Sequence, residues 1–154
     1  MSGRVGPVAM GEAREVLRQA GARFTVATPG PGFTDVTAAA AGIVARSGIG
    51  EGLLTLFCRH TSASLTIQEN ADPDVRADLM AALDRIAPRG HPWAHALEGP
   101  DDMPAHVRAM LTGVSLAVPV LGGRLALGTW QGIYLVEHRD RPHEREIVAH
   151  VLGR

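Results

Sequence analysis

Apolar and polar positions alternate over much of this chain, and stretches of helical period interrupt the alternation. Residues 23–28 alternate, with Phe24 and Val26 set against polar neighbours, and read as a strand. Pro29-Gly30-Pro31-Gly32 predicts a turn or loop. Thr34 or Asp35 can cap a helix that runs to about Ser47, where Gly48 ends it. Residues 53–58 are a short apolar run and read as a buried strand. Residues 64–68 alternate again, with Leu65 and Ile67 on one face.

Residues 71–87 carry the clearest helix. Asp72 suits the N-cap, Pro73 the first helical position, and Asp74 the positive end of the dipole. Val75, Leu79, Ala82 and Leu83 form its apolar stripe. Residues 88–101 are punctuated by Pro and Gly and too polar for a core; a second short helix is predicted over 104–111. Four β-like runs follow, at 115–120, 124–128, 132–137 and 146–152, the first two joined by a Leu121-Gly122-Gly123-Arg124 hairpin turn. The elements interleave without a βαβ rhythm. The pattern therefore predicts a single α+β domain over 22–154, with a largely antiparallel sheet or sandwich and two or three helices. Residues 1–21 read as a lead, with a short helix expected over 11–19.

Composition narrows the function classes. A chain of 154 residues, 45% hydrophobic and 20% charged, can bury a core without disulfides or a structural metal. A net charge of −1 supplies no footprint for nucleic acid or an anionic membrane. Every basic side chain other than histidine is arginine, which excludes Schiff-base lysine chemistry. Cys58 is the only cysteine, so no intramolecular disulfide can form, and a reducing compartment suits it. Residues 1–11 lack the apolar core of a signal peptide, and no apolar run approaches the ~20 residues that span a bilayer. A cytoplasmic protein is expected.

Four polar segments carry candidate chemistry. The first sets His60, Thr61 and Ser62 at a strand end, with Glu69, Asn70 and Asp72 at a helix entry, where free N–H groups can hold anions. The structural alternative makes Thr61 and Ser62 a turn and Asp72 a plain cap. In the second, Asp102 and His106 stand four apart and could share a helix face, the carboxylate orienting the imidazole for base chemistry or metal ligation. His91 and His95 have the same spacing, but within a loop, which argues less for adjacency.

In the third segment, Gly128 and Gly132 bracket Thr129, Trp130 and Gln131 in a bend where a backbone can approach a ligand. Glu137 follows in line with Ile133 and Leu135, either in water at a strand end or buried with a partner. The fourth is the charge run from Glu137 to Arg145, a solvated turn or a phosphate site using Arg139, Arg141 or Arg145. Seven histidines beside Asp and Glu admit a divalent metal, with His60 and His106 as candidate ligands, although no H-E-x-x-H or paired C-x-x-C occurs. Cys58 reads as a small buried hydrophobe.

Together these segments resemble the YjbQ-like family, also called secondary thiamine-phosphate synthases. The resemblance rests on Phe33-Thr34-Asp35-Val36-Thr37, on the run from His60 to Pro73, on Asp101-Asp102-Met103-Pro104-Ala105-His106 and on Gly128-Thr129-Trp130-Gln131, in that order. It implies a small α+β homotrimer with a polar active site near the subunit interfaces. The implied reaction is a weak joining of hydroxymethylpyrimidine diphosphate to thiazole phosphate, with release of pyrophosphate. In that scheme His60 is ligand or general base. Glu69, Asn70, Asp72, Asp102, Gln131 and Glu137 complete the catalytic wall, and Thr61, Ser62, Thr129, Trp130, Arg139 and Arg145 bind a small phosphorylated substrate. A Zn²⁺ or Mg²⁺ ion would assist the leaving diphosphate. Where the family commonly reads Asp-Gly-Pro-Arg, this chain has Asp140-Arg141-Pro142-His143, which alters that loop and removes an expected arginine at 143.

Overall fold

The structure, a computed structural model, describes residue 15 and residues 18–154. In chain order the elements are β1 (Arg18–Thr28), β2 (Gly32–Asp35), α1 (Thr37–Ser47), β3 (Gly52–Cys58), β4 (Ala63–Glu69) and α2 (Pro73–Ile86). They continue with α3 (Asp102–Thr112), β5 (Ser115–Leu121), β6 (Arg124–Leu125), β7 (Gln131–Glu137) and β8 (His143–Gly153). Five strands form one sheet in the order β1-β8-β3-β5-β6 and three form a second in the order β2-β7-β4. Every pairing is antiparallel. The expected α+β class with an antiparallel sandwich is what the chain adopts.

The two sheets share one core. Val26, Leu54, Leu56, Val118, Ile147 and Val151 come from the larger sheet and meet Leu65, Ile133 and Leu135 from the smaller one. Ala40, Ile43 and Val44 of α1 close one end of it. α2 and α1 each start beside an aspartate that accepts a first-turn N–H, whereas the Asp101 N-cap of α3 makes no side-chain cap bond. Asp72 accepts from the Asp74 N–H at 2.9 Å, with Pro73 first in α2. Asp35 accepts from the Thr37 N–H at 2.8 Å, one residue outside the Val36 N-cap of α1. Gly48 ends α1 at φ +65°, a conformation that costs a glycine little. Gly52 and Gly153 face each other across β3 and β8, where a Cβ on Gly52 would meet the Leu152 carbonyl oxygen at 2.1 Å.

Several expectations need correcting. Residues 32–35, expected as loop and helix cap, form β2, because β7 supplies a partner that local pattern does not announce. Arg18 and Gln19 belong to β1 and not to a helix; most of the expected helix over 11–19 lies outside the described residues. The expected strand over 124–128 keeps only two residues, and α3 begins at Asp102 instead of Pro104. β3 is buried on one face only. Leu54, Leu56 and Cys58 point into the core, while Leu53 and Phe57 on its other face are 41% and 47% exposed. Among the described residues, no helix is long and apolar enough to cross a membrane.

Candidate functional site

β3 leaves the larger sheet at Cys58, and the chain crosses to the smaller sheet through residues 59–62. This crossing sets His60 beside β8. His60 Nε2 accepts the Glu146 backbone N–H at 2.8 Å. A nitrogen that accepts there carries no proton, so the ring proton sits on Nδ1. Burial and the nearby Arg145 charge lower the His60 pKa, which holds the ring neutral. This bond speaks against the expected role of His60 as ligand or general base: the Nε2 lone pair is taken, and Nδ1–H remains as a donor.

Glu137 and Arg145 meet directly beneath. Arg145 Nε donates to Glu137 Oε2 at 2.7 Å, Thr28 Oγ1 donates to the same oxygen at 2.7 Å, and the Arg139 N–H donates to Oε1 at 3.0 Å. Arg145 Nη2 also donates to Ser62 Oγ at 3.0 Å. Burial pushes the Glu137 carboxyl up, but the bonds from Arg145, the Arg139 N–H and Thr28 outweigh it, and its pKa falls. Glu137 is fully buried and saturated with donors. Its expected place in a catalytic wall is therefore corrected to that of a buried anchor, with Arg145 as its counter-ion.

The start of α3 builds a second group. Asp102 is 2% exposed. Its Oδ2 lies 2.7 Å from His95 Nε2 and 3.1 Å from His106 Nε2, while Oδ1 takes an Arg139 guanidinium N–H. Burial raises the Asp102 pKa, and the His95 bond with the Arg139 and His106 charges lowers it further than burial lifts it. Arg139 also donates to Asp101 at 2.8 Å and to the Glu98 carbonyl at 3.0 Å. Against the opposing pull of burial, the Arg139 bond and the Asp140 N–H hold the Asp101 carboxyl down to about 2. With three partners, the Arg139 side chain is committed, which corrects its expected role as a phosphate ligand. His106 Nδ1 faces the Thr61 carbonyl oxygen at 2.9 Å and ties α3 to the crossing loop.

His138, which the sequence did not single out, is buried behind this group. Its Nε2 lies 2.8 Å from Ser64 Oγ, and Thr112 joins them at 2.6 Å from Ser64. Its Nδ1 is buried without a partner. Burial first and the Arg108 charge second bring its pKa to about 4.

The remaining predicted residues lie elsewhere. Glu69 accepts the Ala71 and Asp72 N–H groups, and Asp72 caps α2. Asn70 Nδ2 donates to the Thr129 and Gln131 carbonyls, and Gln131 Oε1 accepts the Gly128 N–H at 2.8 Å. Trp130 is exposed in this bend. β4 pairs with β7 so that Ala63 opposes Glu137 and Glu69 opposes Gln131. Six residue steps of about 3.3 Å put roughly 20 Å between the two ends of the strand. Within one chain, Glu69, Asn70, Asp72, Thr129, Trp130 and Gln131 therefore do not share the His60 site. The expectation that Glu69 lies beside His60 is corrected; strand β4 holds them apart.

A cavity of about 850 Å³ opens between the crossing loop and α3. Arg59, His60, Thr61, Ser62, His106 and Arg145 form its polar side, and Phe57, Ala109, Met110 and Val114 its apolar side. None of its lining residues is acidic. The family model "UPF0047 protein YjbQ-like" matches residues 22–154, the span that carries both sheets and this cavity. The chain belongs to the UPF0047 YjbQ-like family. Its relatives include UPF0047 protein sll1880 of Synechocystis, 50% identical over 131 residues, 84% of this chain and 89% of that one. YugU of Bacillus subtilis is 39% identical over 77% of this chain and 88% of its own. Among solved structures, hypothetical protein APE1520 of Aeropyrum pernix superposes with a TM-score of 0.81 at 34% identity, covering 88% of this chain and 99% of its own. A YbjQ-like protein of unknown function from Sulfolobus solfataricus superposes at 0.80 with 26% identity, covering 89% and 100%. These likenesses establish the YjbQ-like fold and family; the function is argued from the site.

Proposed function

We propose that this YjbQ-like protein is an enzyme that binds a small phosphorylated metabolite in the cavity between the crossing loop and α3. The observation that carries the reading is the polarity of the wall. Two arginines, two histidines and two hydroxyl residues line it with no carboxylate among them, Arg145 being paired with Glu137 and Arg59 with Glu146. His60 presents Nδ1–H as a fixed donor because the Glu146 N–H holds its other nitrogen. A donor-rich, acid-free concavity beside an apolar wall suits a phosphate or diphosphate attached to a ring.

The specific reaction we favour is the thiamine-phosphate synthase type. Departure of pyrophosphate from a methylene carbon builds negative charge on the leaving oxygens, and prepositioned donors stabilise that charge as it develops. In this reading that role falls to His60 and Ser62. We assign the protein to the cytoplasm on its single buried thiol, and to a homotrimer on the family resemblance. A physical candidate for the subunit contact is the open face of the larger sheet, where Leu53 stands beside Leu152 and Phe57 beside Val148.

Calorimetric titration with pyrophosphate, alongside pyrophosphate release from hydroxymethylpyrimidine diphosphate and thiazole phosphate, tests the reading. His60→Ala should weaken pyrophosphate binding by about tenfold, the value of one donor of about 1.4 kcal/mol. Binding unchanged in that variant would overturn the cavity as the site. Binding without turnover would leave a small-anion-binding module as the function.

A further inference from the structure

We infer that His95, Asp102 and His106 form a binding site for one divalent transition-metal ion of the zinc type. The donor atoms of the three side chains lie within 4.8 Å of one another. The separations from Asp102 Oδ2, 2.7 Å to His95 Nε2 and 3.1 Å to His106 Nε2, approach the roughly 3.3 Å between ligands on a tetrahedral ion with bonds of about 2.0–2.1 Å.

A proton count on His106 is the second, independent reason. Its Nδ1 faces a carbonyl oxygen, which only accepts, so Nδ1 must carry hydrogen. Its Nε2 faces a carboxylate oxygen, which also accepts. A neutral ring has a single N–H and cannot serve both, so the pair of acceptors calls for a cation at Nε2, either a second proton or a metal ion. With a metal ion between Nε2 and Asp102 Oδ2 the ring stays neutral, Nδ1–H donates to Thr61, and the Nε2 lone pair binds the ion, the same place that a second proton would fill in the metal-free protein. His95 then ligates through Nε2 in the same way.

The outer contacts agree. An imidazole whose distal N–H is held by a backbone carbonyl, and a carboxylate whose second oxygen is held by Arg139, are the supports that orient metal ligands. Two nitrogens and one oxygen suit a borderline ion better than Mg²⁺, which prefers oxygen ligands. Three protein ligands leave a tetrahedral ion one open position. Of the three ligands, His106 also lines the cavity.

The proposal stands apart from the anion reading of the cavity, and its test uses metal alone. The full chain, stripped with a chelator, is titrated with Zn²⁺ and with Co²⁺, followed by elemental analysis and by cobalt absorption in the visible. One equivalent per chain is expected, with Mg²⁺ failing to compete. The His95 side chain is 42% exposed, so His95→Ala should fold as the parent does and bind at least about 100-fold more weakly. Arg139→Gln should cost about 10–100-fold through Asp102, and His60→Ala should cost nothing. Absence of zinc and cobalt uptake by the parent would overturn the site. So would full binding by a folded His95→Ala, or equal loss in His60→Ala. Pyrophosphate binding to the stripped protein is measured separately, so failure of the metal site and failure of the cavity reading are told apart.

Discussion

Arg145 grips Glu137 through two guanidinium nitrogens, at a point where the two side chains are 5% and 0% exposed. The pair joins β7 of the smaller sheet to β8 of the larger one, with Thr28 and Ser62 completing its bonds. Arg145→Ala would leave a buried, unpaired carboxylate. A stability loss of about 3–5 kcal/mol is expected in urea unfolding. Replacing both residues with apolar ones, as in Glu137→Leu with Arg145→Met, should recover much of it, because the desolvated charge goes with its partner.

His138 gives the fold a dependence on pH above the usual carboxylate range. Its folded pKa of about 4 lies below the ordinary value of about 6.5. The neutral ring is therefore the form the fold accepts. The stability it contributes is complete above about pH 7 and is lost as pH falls towards 4. Unfolding midpoints measured between pH 7 and 4 should decline less steeply for His138→Gln than for the parent, with the lost slope worth about 3 kcal/mol at most by the size of the shift.

A second acid window belongs to Asp101. Its carboxyl, held at about 2 by Arg139, contributes stability that is complete above about pH 5 and vanishes as pH falls from there to about 2. Arg139→Gln should flatten acid unfolding in that range. A curve identical to the parent's would show that Arg139 does not hold the carboxyl down.

The exposed face of β3 makes a prediction about assembly. Leu53, Phe57 and Leu152 are 41%, 47% and 41% exposed on neighbouring strands. Light scattering should give three times the 16.3 kDa chain mass. Phe57→Glu should return the protein to the single-chain mass with its circular dichroism unchanged. A parent already at 16.3 kDa would remove the trimer.

Much of the fold was legible because local chemistry agreed with the final structure. Asp72, Pro73 and Asp74 announce α2 at the residue where it begins, and the pairing of Leu65 with Ile67 matches β4. The Asp102–His106 spacing was legible too, since both lie on one helix. What escaped depends on partners distant in sequence. β2 is a strand because β7 lies beside it, and nothing in residues 32–35 says so. His95 sits in a loop without period, and its partner Asp102 is fixed by α3. In the run from Glu137 to Arg145, the sequence shows charges but not their partners, so Arg139 and Arg145 look available when each is already bound. Residues 53–58 read as a buried strand because an apolar run does not reveal that, among the described residues, one of its faces is left half exposed.

The order of strands also bears on when the protein can fold. β8 lies between β1 and β3, so the two strands made early have no direct contact within their sheet until residues 143–153 arrive. During synthesis, β1 and the β8-facing edge of β3 wait unpaired while about ninety further residues are added after β3, several seconds at the usual elongation rate of about 5–20 residues per second, although β5 can take the other edge of β3 sooner. Until then Val26, Leu54 and Leu56 lack their core neighbours Ile147 and Val151, which leaves the core of the larger sheet unfinished. This makes β8 the strand whose delayed arrival would most favour aggregation.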